Sequence, residues 1–193
     1  LFKSNYHYYE TSEAVYFLAY RNGEVVGRIS GILQKAANEK WQQKRVRFTR
    51  FDSIDDEEVA SALFSAVEHW AKAKGMEEVV GTLGFSDFER EGLLIEGFEE
   101  LSTFEEQYNY PYYQKLIENL GYRKDVDWVE HKLYPPEEPD KRLPELRDKI
   151  MKRYKVHLSE TKSADEFIRL YKDDFFRILD ETYAEIYGTV PFT

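Results

Sequence analysis

Apolar and polar residues change period along this chain, and each change marks an element. Ala14 to Tyr20 is rich in β-formers, Asn22-Gly23 supplies a tight hairpin turn, and Val25 to Leu33 reads as the return strand. These predict antiparallel strands near 14–20 and 24–34. A polar stretch from Gln34 to Lys44 leads to a third strand, Val46 to Phe51. Val59, Ala62, Leu63, Ala66, Val67, Trp70 and Ala71 then recur at spacings of three and four, which puts them on one helix face. Asp55 with Glu58 suggests a capping-box variant at its start, and Gly75 a C-cap. Glu78 to Leu83 is short and apolar enough for an internal strand, so 46–83 reads as a parallel β-α-β unit.

Beyond Gly84 the pattern loosens into a loop past Gly92 and Gly97 to Thr103. Tyr112 to Leu120 predicts a short amphipathic helix closed by Gly121, and the partial alternation of Tyr122 to Leu133 predicts another strand. Three prolines within 134–139 mark a linker. After it come a helix at about 141–154, a short strand at 156–159 and a long helix from Ala164 to Ile186, with Ser163 and Glu166 as its capping box. The expected organisation is an α/β domain over 1–134, a linker over 135–140, and a helix-strand-helix segment over 141–193 that opens a second domain or docks on the first. The fold class is α/β, a mixed central sheet with flanking helices.

Hydrophobic residues at 42% and aromatics at 16% are enough to fill a core. A net charge of −10 works against a phosphate backbone as partner, so nucleic acid is not expected. Cysteine is absent, which excludes thiolate metal sites and Cys nucleophiles. The four histidines are widely separated, so no metal site is expected. No apolar run approaches the ~20 residues of a membrane span, and Leu1-Phe2-Lys3 shows no signal-peptide pattern. The reading is a cytoplasmic protein without a membrane partner, whose natural chain starts upstream of a residue 1 that is not Met.

The order of elements over about 120 residues resembles the central part of a GNAT N-acetyltransferase domain. Glu24-Val25-Val26-Gly27 resembles the turn-and-Gly opening of the family's third strand. Leu63 to Gly75 resembles the helix after its acetyl-CoA loop, and Leu120-Gly121-Tyr122 the Leu-Gly-Phe that ends its fourth helix. Gly81 to Ser86 and Tyr108 to Tyr113 look like a bacterial branch of GNAT-like proteins. The family's first strand and helices should precede residue 14, where only thirteen residues stand. The segment 156–187 has the right elements to begin a second such domain, or to complete this one or a neighbouring copy.

The resemblance implies acetyl-CoA or another acyl-CoA as donor, a small-molecule amine or acyl carrier as partner, and a homodimer as a candidate assembly. In the family, a Gln/Arg-x-x-Gly-x-Gly/Ala loop opens the long helix and its N–H groups hold the CoA pyrophosphate. Here Asp55-Asp56-Glu57-Glu58-Val59-Ala60 stands in that place and only Ala60 fits. Four acidic residues there would satisfy the N–H groups themselves and repel a diphosphate, so a well-capped helix that binds no phosphate is the competing reading. Cofactor contacts are expected at Phe51, Asp52, Ser53, Ala60 and Ser86. The family's Tyr acid falls on Ile117, and Tyr112 or Tyr113 could take the role, with core packing as the alternative. Glu96, in the apolar run Leu94-Ile95-Glu96-Gly97, is the candidate general base, ahead of Asp127 and Glu130. Ordinary solvated carboxylates are the alternative for all three. Ser86 could instead cap its loop, and His131 reads as a partnered histidine. Two functions follow: an N-acyltransferase, or a GNAT-shaped ligand- or protein-binding module that has lost its CoA site.

Overall fold

The computed structural model describes residues 6–103 and 106–191. Strands β1 (Ser12–Arg21), β2 (Glu24–Gln34), β3 (Arg45–Ser53) and β4 (Glu78–Gly81) form one sheet in the order β1-β2-β3-β4. The first two pairings are antiparallel and β3–β4 is parallel, in register from Arg45↔Glu78 to Phe48↔Gly81. The helices are α1 (Lys35–Lys40), α2 (Glu57–Ala73), α3 (Tyr112–Asn119), α4 (Arg142–Tyr154) and α5 (Ala164–Thr182), with a 3₁₀ turn at His7–Glu10. Mixed α/β architecture and the β3-α2-β4 crossover follow the sequence pattern.

The apolar stripe of α2 explains its packing. Val59, Leu63, Phe64, Val67 and Ala71 lie against Ile29, Leu33, Val46, Phe48 and Phe51 of the sheet, and α3 adds Tyr113, Leu116 and Ile117. Gly27 permits the approach, because a Cβ there would sit 2.8 Å from Leu63 Cδ1 and 3.0 Å from the Asp52 carbonyl. Asp56, not Asp55, is the N-cap of α2, and its Oδ1 accepts from the N–H of Glu58 and Val59. Arg21 bonds the same carboxylate at 2.8 Å and depresses its pKa. Asp56→Ala is expected to lower Tm by about 2–4 °C in a thermal melt, the usual loss for a missing cap in a domain of this size.

Several expectations are corrected. The polar stretch after β2 contains α1, whose N-cap Gln34 accepts from Ala36 N–H. Residues 122–133 and 156–159 form no strand. Alternation fixes the faces of a strand but not the neighbour it must pair with. Tyr122 packs its ring on Phe64 at 4.9 Å and donates to Glu68, while Arg123, Lys124 and Asp125 after it are exposed. The last helix stops at Thr182 rather than Ile186.

The chain divides into two compact units, residues 6–126 with 180–191, and residues 127–179. The tail after α5 therefore belongs with the sheet. In the second unit neither α4 nor the α5 residues within it bury a side chain, and Leu143, Leu146, Phe175 and Phe176 stand exposed. No helix among the described residues is long and apolar enough to cross a membrane.

Candidate active site

Side chains alternate across a strand, so the face of β3 opposite α2 carries Arg47 and Thr49, each 3% exposed. Between Arg28↔Asp52 and Ser30↔Thr49, β3 holds one more residue than β2, a bulge with Arg50 in left-handed backbone at φ 52°. Arg50 donates to Glu89 Oε1 at 2.9 Å, and its guanidinium lies 5.7 Å from the centre of the Phe85 ring.

The loop after β4 closes on itself. Gly92 N–H donates to the Thr82 carbonyl at 3.0 Å and the Thr82 hydroxyl returns a bond to the Gly92 carbonyl. Within it burial alternates: Asp87, Glu89 and Glu91 are half-buried, while Phe88 and Arg90 are exposed. Gly84 allows the turn, since a Cβ there would fall 2.5 Å from Glu89 Cβ. Gln34 anchors the loop by donating to the Phe85 carbonyl at 2.9 Å. Residues 6–9 cover its other side, with Tyr8 stacked on Phe85 and its hydroxyl 2.6 Å from Ser86 Oγ.

Burial governs the charges in this cluster. It pushes the Glu91 carboxyl up to about 7, helped by the like charge of Asp87, against the pull of Arg47 and the Gly84 N–H. It also raises Asp87 and lowers Arg47. Glu91 Oε1 and Arg50 Nη1 are buried without a hydrogen-bond partner, the two such side-chain atoms found among the described residues. A carboxyl titrating near neutrality with an unused acceptor atom is the chemistry of a general base.

The expected site residues fall in different places. Tyr112 and Tyr113 meet the end of β3: Tyr112 donates to the Ser53 carbonyl at 2.8 Å, Ser53 N–H donates to the Tyr113 oxygen at 3.2 Å, and Tyr113 donates to Asp52 Oδ1 at 3.3 Å. Burial lifts Tyr113 to about 12. Phe51 is in the core, and Ala60 is buried with its N–H on the Asp56 carbonyl. Ser86 is buried beside Tyr8, apart from the Tyr112–Ser53 contacts. Glu96 is exposed, as are Asp127, Glu130 and His131, and the inward acid of the long loop is Glu91, five residues earlier. The overlooked signal was the i, i+2, i+4 spacing of Asp87, Glu89 and Glu91, which puts three acids on one side of an extended segment.

The residues at the start of α2 do not fit a diphosphate. Asp56 takes the N–H groups of Glu58 and Val59, and Glu57 and Glu58 add charge in the first turn. The Ser53 main-chain groups, where a donor could bond along β3, are taken by the two tyrosines.

No family model matches the sequence, and no solved structure matches it significantly. Two curated proteins are similar. Protein YghO of Escherichia coli (strain K12) is 28% identical over 183 residues, 92% of this chain and 45% of that protein. The bacterial ceramide synthase of Caulobacter vibrioides (strain NA1000 / CB15N) is 30% identical over 147 residues, 76% of this chain and 37% of that protein. The chain thus spans less than half the length of the curated relatives it matches.

Proposed function

We propose that the chain carries the GNAT-like sheet and the general base of an N-acyltransferase, which joins an activated acyl group to an amine. The observation that carries this reading is Glu91, a half-buried carboxyl with one acceptor atom unused, held near neutrality in the loop that follows the parallel pair β3–β4. Ligands of α/β sheets gather at the carboxyl ends of the strands. The likeness to a protein named ceramide synthase supports it, since ceramide is an N-acylated amino alcohol.

In the step we propose, Glu91 takes a proton from the ammonium form of the acceptor and frees its nitrogen lone pair. The nitrogen attacks the acyl carbonyl, the C–N bond forms, and the bond from acyl carbon to carrier breaks. The carrier leaves with the electron pair, and the second amine proton passes to solvent or carrier. Because the α2 start does not fit a diphosphate, no step is assigned to CoA.

The saturated groups at α2 and Ser53 favour a second reading, a ligand-binding module without chemistry. Full-length protein incubated with a long-chain amino alcohol and either acyl-CoA or an acyl-carrier thioester decides between the two by mass spectrometry of the amide. Product from wild type above a no-protein control supports acyl transfer. Ligand-induced thermal stabilisation with no product from any donor leaves the binding module in its place.

A further inference from the structure

Arg47 and Glu91 influence one another electrostatically, yet Glu91 Oε1 is buried without a hydrogen-bond partner while Arg47 gives its guanidinium to main-chain carbonyls. Arg47 Nη1 donates to the Gly84 carbonyl at 3.1 Å and Nη2 to the Gly188 carbonyl at 2.5 Å. Gly84 and Glu91 lie in the same loop, closed by the Gly92–Thr82 bond, and the second arm of the guanidinium is held by the tail. Three further bonds seat that tail. Trp41 Nε1 donates to the Thr189 carbonyl at 3.0 Å, Lys40 to Thr189 Oγ1 at 2.7 Å, and Val190 N–H to Asp87 at 3.1 Å.

We propose, resting on the reading of Glu91 as the base, that Arg47 is a positioning residue whose anchorage to the tail at Gly188 keeps it from pairing with Glu91. A guanidinium free to fork onto the carboxylate would hold it as an anion and weaken it as a base. The charged groups facing Glu91 are Arg47 from β3, and Asp87 and Glu89 from its own loop. Tyr187 faces Arg47 from the tail, and Lys40 faces Asp87 from α1.

The test follows the Glu91 side-chain carboxyl by carbon NMR across pH, in the full chain. Wild type should titrate at about 7. Trp41→Phe/Thr189→Val, which loosens the tail, should lower that midpoint by about 1–3 units, the effect of a new ion pair. Adding Arg47→Met to that variant should bring the midpoint back up. A midpoint that does not fall overturns the proposal, and so does a fall that persists without Arg47, which would mean simple hydration. If the triple variant does not fold, the Arg47 guanidinium nitrogen signals of the tail variant decide, because pairing requires them to titrate together with Glu91. These readouts need no turnover. If the midpoint moves but the protein makes no amide, only the acyltransfer reading fails.

Discussion

Glu91→Gln is expected to reduce amide formation by about 10²–10⁴-fold while leaving the fold intact, the range a positioned general base contributes. Gln keeps the shape of the side chain, but it cannot take a proton from the amine. In wild type the rate should rise through pH about 7 as Glu91 ionises, and in the variant that limb should disappear. Stability moves the other way. The folded pKa lies above the 4.5 of the free side chain, so the folded protein holds an extra proton between 4.5 and about 7. The stabilisation is complete below the unfolded value and is lost as pH rises through the folded one, on the order of 3 kcal/mol across that window. Urea unfolding at pH 5 and pH 8 should show the difference in wild type and not in Glu91→Gln. An unchanged rate in the variant would remove Glu91 from the chemistry.

Phe64→Ala is expected to cost about 3–5 kcal/mol of stability, the usual loss for an aromatic removed from a packed core. Phe64 is 1% exposed and its ring meets Phe48 and Phe51 at 5.0 Å and Tyr122 at 4.9 Å, so no neighbour closes the gap without leaving another contact. The same ring joins α2 to the strand that carries Arg47. Denaturant midpoints measure the loss, and a cost under about 1 kcal/mol would mean that the core collapses around the cavity.

The sequence alone determined what depends on neighbours a few residues apart. The three- and four-residue spacing from Val59 to Ala71 gave a helix with one buried face, Asn22-Gly23 joined two antiparallel strands, and the intervening helix made β3–β4 parallel. The carboxylates that cap α2 were equally legible, because a cap is a contact within one turn, although the cap fell on Asp56 rather than Asp55. Tertiary structure decided whatever required a distant partner. Residues 122–133 alternate like a strand and form none, because alternation supplies no edge to pair with. Glu96 follows the apolar run Leu93-Leu94-Ile95 and faces solvent, while Glu91 sits between Arg90 and Gly92 and is drawn inward when Thr82 and Gly92 close the loop. Arg47 reads as one of three basic residues in a strand. It becomes central only because Gly84, 37 residues away, and Gly188, 141 residues away, present their carbonyls to it. Local spacing shows which face a residue takes, but burial, and with it the proton affinity of Glu91, is set by what the rest of the chain places on that face.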